Sequence, residues 1–423
     1  MNIPKTLILT STPPGQGSVG EIYMREVCRL LPQEKLVCFA AISSDYYTGP
    51  LSPELDRIRV CLEEIPAETL LFRPIFQRLI GRLARALYEP VHTKKVKALI
   101  ESAIAFGRSH QVEQVWAVLN SPTILKMARK VAGALNVPLV ALVWDPPQAI
   151  ARDRRLDSYS TALMLNEFAQ VLKSARACAC VSDPMAQAYR SEFGANVLVL
   201  HRVFSESKAL KPWAAKPDVI EIVFSGSNYA PKEFAALVNA LSSVDWRIDG
   251  KPVKLIMTGS NINLDVFAAG KPMHVEFLGF RSTEEMLQIL ANATCAYLPY
   301  PFSSEMALQA RLSFPDKLNT YVEVGCPVFF HGPRDSATTD FMQKFAVGVM
   351  CHSLDPSVIV NSLYSITTGG ATVEMAQREM ERCRRLELNE DVCRERLAGL
   401  LCENMKNIEK PEGAAINASG VNG

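Results

Sequence analysis

Short runs of wholly apolar, strand-forming residues recur along this chain, and a stretch with helical period follows nearly every one. In the first half the runs are Thr6–Thr10, Leu36–Ala41, Gln114–Leu119, Pro138–Val143 and Arg176–Val181, with amphipathic segments such as Val19–Leu31, Thr123–Leu135 and Thr161–Lys173 between them. These runs do not alternate apolar with polar residues. A strand with one face in water would alternate; a parallel strand covered by helices on both faces does not. The pattern therefore predicts βαβ units wound into an open sheet. The rhythm stops over Ser205–Asp218 (SESKALKPWAAKPD), which reads as a linker. It restarts with Glu221–Ser225, Val253–Thr258, His274–Phe277, Thr294–Leu298 and Pro327–Phe330. The expected fold class is α/β, with two Rossmann-like, doubly wound domains facing each other across a cleft. Length agrees, since 423 residues exceed what one core usually holds, and 48% hydrophobic residues can fill two. The expected division is 1–205 for the first domain and 206–385 for the second. Residues 386–408 read as a C-terminal helix able to pack back on the first domain, within a helical, charged stretch Thr372–Asn407, and 409–423 as a disordered tail.

Charge and cysteine usage exclude some classes of function. Lys+Arg (45) nearly balances Asp+Glu (44), so no global field argues for a nucleic-acid partner. The eleven cysteines form no C-x-x-C pair and no metal-ligand spacing, and many lie in apolar runs such as ARACACVS. They read as reduced core thiols of a cytoplasmic protein, with no metal expected. The start, MNIPKTLILTSTPPG, lacks the pattern of a signal peptide, and no stretch approaches eighteen consecutive apolar residues.

Three loops at predicted strand ends are candidates for holding a phosphate. In TSTPPGQGSVGEIYM, Gly15, Gly17 and Gly20 nearly spell G-x-G-x-x-G, which permits close backbone approach to an anion at the next helix start. A tight βα turn without a ligand needs the same residues. A nicotinamide site would want an acidic residue at the end of the second strand, about 20 residues beyond the glycines; that strand reads LVCFAAISSD, and Asp45 comes late. In SGSNYAPKE, Gly226 opens the loop and Lys232 stands near a helix start, as a phosphate ligand or as a solvated lysine. In SFPDKLNTYVEVGCPVFF, Ser313 is the expected N-cap, Pro315 belongs in the first turn, Asp316 completes a capping-box pattern, and Gly325 stops the helix. Lys317 then lies where the helix dipole disfavours a cation. A bound pyrophosphate would reverse that sign; otherwise the side chain reaches into water.

The order of these motifs resembles the retaining GT-B glycosyltransferases, family 4 type, which use nucleotide-diphosphate sugars. The resemblance runs over most of the chain, through PPGQGSVGEIYM, VPLVALVWDPP, ACVSDPMAQAY, FSGSNYAPKE, VEFLGFRSTEEMLQILANATCAYLPY and SFPDKLNTYVEVGCPV. It implies that Gly15 and Gly17 approach the donor from the first domain, and that Gly226, Ser227 and Lys232 meet its phosphates. Ser313, Pro315, Lys317, Leu318 and Thr320 would make the donor loop. It also implies that the leaving diphosphate takes part in deprotonating the acceptor, so the protein mainly stabilises charge through Lys232 and Lys317. Three positions depart from the pattern. Ser227 stands where the family usually has arginine, Thr320 where it has a ribose-binding glutamate, and Trp144-Asp145 where a histidine often follows the strand. Asp145 itself, in VWDPP, either orients or deprotonates the acceptor hydroxyl or caps a turn. His201 reads as a satisfied structural residue.

On the acceptor side, LLFRPIFQRLIGRLARALYEPVHTKKVK (70–97) spaces Phe72, Ile75, Phe76, Leu79, Ile80, Leu83 and Leu87 at helical period, opposite Arg78, Arg82 and Arg85. Such a helix can lie on anionic lipid at the inner membrane face, or bury its apolar side within the domain. The expected partners are thus a nucleotide-sugar donor and a carbohydrate or lipid-linked acceptor, in polysaccharide or glycolipid synthesis, with no cofactor beyond the donor. The alternatives are a non-catalytic nucleotide-sugar-binding partner and a nucleotide-sugar epimerase.

Overall fold

A computed structural model of the protein describes residues 2–43, 49–65, 68, 80–203, 213–214, 218–259, 274–367 and 370–402, with the side chains of 80–91 left out. The first sheet takes β1 (Thr6–Thr10), β2 (Leu36–Ser43), β3 (Arg59–Ile65), β4 (Gln114–Val118), β5 (Leu139–Val143), β6 (Ala177–Cys180) and β7 (Val197–Val199), in the order β3-β2-β1-β4-β5-β6-β7. Every pairing in it is parallel. The second takes β8 (Ile220–Ser225), β9 (Arg247–Ile248), β10 (Lys251–Thr258), β11 (Val275–Gly279), β12 (Cys295–Pro299), β13 (Val328–His331) and β14 (Gly348–Cys351), in the order β11-β10-β8-β12-β13-β14. Only β9 is antiparallel, against β10. These are two Rossmann-like sheets of the GT-B architecture, each with its strand order reversing beside its first strand. That reversal opens a crevice at the strand carboxyl ends, where open α/β sheets bind ligands.

Most of the apolar runs became strands buried on both faces: β1, β4, β5, β6 and β12 are buried at every residue, whereas the run His274–Phe277 became the margin strand β11, with Phe277 exposed. Strands that the apolar rule passed over lie at the sheet margins. β3 (RVCLEEI) alternates exposed and half-buried positions, and β14 is half-buried over most of its length. Polar residues start the helices. Ser18, Ser121, Ser182, Ser282 and Ser336 each accept a hydrogen bond from a first-turn amide.

Each sheet carries an apolar cluster on either face. The stretch read as one helix over Thr372–Asn407 divides into Ala371–Leu386 and Glu390–Leu401, because Asn389 caps a new start at Val392 N. The second of these puts Cys393, Leu397, Leu400 and Leu401 into a cluster under the first sheet. Arg176 donates to the carbonyls of Leu400 and Cys402 there, at 3.0 and 2.7 Å. All eleven cysteines are free; nine are buried, and Cys61 and Cys402 half-buried. Burial pushes the Cys38, Cys180 and Cys295 thiols up to about 12. No helix among the described residues is long and apolar enough to cross a membrane. Residues 80–97 belong to the helix Ile80–Ser109, while 70–79, most of the linker and all of 409–423 lie outside the described residues.

Candidate active site

Between the carboxyl edges of the two sheets lies a cavity of about 440 Å³. The first domain supplies most of its wall, from Ser11 and Thr12 after β1 to His201 and Arg202 after β7; Phe314, Asp316 and Asn319 close it from the second. Segment 312–316 is what docks the second domain there. Leu312 joins the first domain's apolar cluster, and Phe314 packs against clusters of both domains. The His201 ring lies 4.6 Å from that of Phe314. Ser182 Oγ donates to the Leu312 carbonyl.

That docking corrects the expected cap. Ser313 ends the helix Ala307–Leu312 instead of starting the next one. The helix Asp316–Val324 has Pro315 at its N-cap, with no side-chain cap bond, so no capping box forms. The Ser313 hydroxyl instead donates across the domain boundary to Asp145 Oδ1 at 2.7 Å, joined by Gln309 Nε2 at 3.3 Å. Burial raises the Asp145 carboxyl above its ordinary value, a shift opposed by the Ser313 bond. Arg152 Nη2 extends this contact with a 2.5 Å bond to Gln309 Oε1. Asp145 is thus an interdomain residue, and Ser313 faces it. Gly325 does stop the helix, at φ +79°.

Arg202 forms the second tie. Its guanidinium is buried and grips Asp316 with both arms, Nε–Oδ1 2.7 Å and Nη2–Oδ2 2.8 Å, and Nη2 reaches Thr320 Oγ1 at 3.3 Å. Bidentate pairs of this kind fix orientation as well as energy. Here the pair fixes the first turn that carries Lys317. Neither Arg202 nor Gln309 stands out in the sequence, because nothing in a lone arginine after a strand marks its partner 114 residues away.

Lys317 is half-buried and folds back on its own domain. Its ammonium lies 4.1 Å from the Phe224 ring centre and 5.1 Å from that of Tyr229, and donates to the Ser227 carbonyl at 3.2 Å. Burial among these groups lowers it to about 7. Gly226 takes the left-handed φ of +92° that favours glycine, and a Cβ there would make only ordinary contact with Lys317, 3.6 Å from Nζ. Gly259, at the end of β10 and not singled out in the sequence, is needed for close approach, since a Cβ would meet the Gly226 carbonyl oxygen at 2.4 Å. Gly226, Ser227, Tyr229 and Lys317 therefore gather at the carboxyl end of β8. Lys232 is exposed on the helix Pro231–Ser243, with no bond to that group among the described contacts. Both lysines belong to elements of the second domain, so they do not approach a ligand from opposite walls of the cleft. Leu318 is buried in the second domain's core.

The glycine loop after β1 is closed on itself. Gly17 N donates to Glu21 Oε2 at 2.7 Å, Gly49 N to the same carboxylate, and Gly15 N to the Glu21 carbonyl. A Cβ on Gly17 would lie 2.4 Å from Gly49 N, and one on Gly20 2.8 Å from the Trp144 ring. Close packing of two backbones accounts for Gly17, and its amide and that of Gly15 are already occupied. His201, expected to be satisfied, is buried with Nδ1 unpartnered, and Asn319 Oδ1 is likewise unpartnered. Burial lowers His201 to about 4, which keeps the ring neutral. Among the described residues, no three His, Cys, Asp or Glu side chains gather as a metal site.

Comparison with known proteins agrees with this architecture. No family model matches the chain, and no curated protein sequence does. Solved structures match over nearly its whole length. Anabaena HepE in complex with UDP and glucose has 15% identity and a TM-score of 0.59, over 93% of this chain and 98% of that one. Sucrose-phosphate synthase from Thermosynechococcus elongatus has 12% identity and a TM-score of 0.62, over 94% and 98%. The E. coli structure described as trehalose-6-phosphate bound with UDP-2-fluoro glucose has 10% identity and a TM-score of 0.63, over 94% and 98%. At such identities the likeness establishes the GT-B fold.

Proposed function

We propose that this protein is a glycosyltransferase that moves a sugar from a nucleotide-diphosphate donor to an acceptor hydroxyl, with retention. The observation that supports it best is the placing of Lys317. Its ammonium stands in the first turn of a helix, beside Gly226, at the carboxyl end of β8, in a fold whose neighbours include complexes with UDP. In this reading Lys317 and first-turn amides of Asp316–Val324 stabilise charge on the leaving diphosphate. The bond from the anomeric carbon to the diphosphate breaks and the bond to the acceptor oxygen forms. The acceptor proton passes to a diphosphate oxygen on the same face. Asp145 orients the acceptor, Lys232 approaches the phosphates once the donor is bound, and no metal or further cofactor takes part. A polysaccharide or glycolipid product, made at the inner membrane face, fits the basic segment 70–97.

A non-catalytic nucleotide-sugar-binding role has one observation in its favour: Gly15, Gly17 and Thr320 are already engaged with Glu21 and Arg202. One experiment separates the two. UDP binding is measured by calorimetry for the wild type and Lys317→Ala, and diphosphate release from a donor panel is followed with and without acceptors. Transfer requires wild-type binding, a loss of tenfold or more in the variant, and acceptor-dependent release. Binding without release at any donor supports the second role, and equal affinity of the variant removes Lys317 from the site.

A further inference from the structure

We infer that the cavity at the edge of the first sheet takes an uncharged, polyhydroxylated acceptor group, a sugar ring without phosphate. This rests on the function proposed above and adds the acceptor's chemical class.

Charge is the first reason. Three carboxylates line the cavity, Asp145, Asp153 and Asp316, against two guanidinium groups, Arg154 and Arg202. Arg202 holds Asp316 bidentately, and Arg154 Nη2 lies 3.5 Å from the buried Glu68. Lys317 and Lys232 are not in the lining. A phosphate placed here would face three carboxylates and would compete with Asp316 and Glu68 for the two guanidinium groups, which is costly for buried pairs.

Unmet hydrogen bonding is the second reason. Asn319 is 3% exposed and His201 6%; both line the cavity, and Asn319 Oδ1 and His201 Nδ1 lack partners. Each buried atom left so costs about 1–3 kcal/mol. A phosphate dianion can only accept, so it cannot satisfy the Asn319 oxygen. A sugar hydroxyl donates and accepts, so it can serve both atoms. The buried, unpartnered Trp144 Nε1 offers a third contact, and the Trp144 ring an apolar face for a pyranose.

The test uses the full chain, with and without saturating UDP. Glucose, mannose and galactose are compared with their 6-phosphates by saturation-transfer NMR titration. At least one neutral sugar should bind at least tenfold more tightly than its 6-phosphate. Asn319→Ala should abolish that binding. Should Asn319→Ala melt early, Asn319→Asp, nearly isosteric, should keep neutral-sugar binding and weaken the 6-phosphates further. Asp316→Asn, which loosens the hold on Arg202, should narrow the preference. A 6-phosphate that binds as well as its neutral partner, or no neutral sugar binding with UDP bound, overturns the inference. Neutral-sugar binding that depends on Asn319 in a protein that does not bind UDP would overturn the donor reading and leave this one standing.

Discussion

Lys317 sits where a helix dipole penalises a cation by about 0.3–1 kcal/mol, yet it folds back on its own domain. Two aromatic faces at 4.1 and 5.1 Å offset that penalty, since contacts of this kind are worth about 0.5–2 kcal/mol each. Burial has a further consequence. With its value lowered to about 7, the side chain is charged below neutrality and increasingly neutral above it. A diphosphate favours the charged form, so binding above that value takes up a proton. UDP affinity should therefore fall with rising pH above about 7, approaching tenfold per unit, and be flat in Lys317→Met. Calorimetry across pH, in two buffers of different ionisation enthalpy, checks both the slope and the proton uptake. The lysine and its place in a helix start could be read from SFPDK. Its partners could not, because Phe224, Ser227 and Tyr229 come from a strand end 90 or so residues earlier.

Among the elements, those defined by local pattern were legible and those defined by neighbours were not. Apolar runs marked the central strands. Margin strands β3 and β14 carry no such signal, because a strand covered on fewer sides need not be wholly apolar. The segment Ser313–Asp316 shows the same limit: S-F-P-D fits a cap locally, but Phe314 docks between two cores and Ser313 turns to Asp145. The glycine loop after β1 invites a ligand when read alone and is a packing device in the structure. Gly17→Ala should therefore destabilise the protein by about 1–3 kcal/mol, since the contact it meets is backbone and cannot step aside. A thermal melt equal to wild type, with nucleotide binding lost, would give the glycine back to the donor.

For the whole molecule, the two halves are held by a few polar ties beside one aromatic plug. The Arg202–Asp316 pair is an ion pair among them, with side chains 5% and 26% exposed. Removing one partner of such a pair leaves the other charge unpaired, at a cost of about 3–5 kcal/mol for full burial and less here. Asp316→Ala should lower the melting temperature and split a single calorimetric transition into two as the domains uncouple; one unsplit transition at the wild-type temperature would show that the tie holds nothing. By itself the sequence determined the α/β class, the two sheets with their central strands, and the loops able to face a cleft. Those follow from local periodicity, which a chain carries wherever it folds. Only the tertiary structure decided which side chains meet: Arg202 with Asp316, Ser313 with Asp145, Lys317 with Ser227, and Glu21 with the glycine amides. All but the last join residues 90 to 168 positions apart, two of them across the docked domains and Lys317–Ser227 within the second, and no local pattern encodes such pairings.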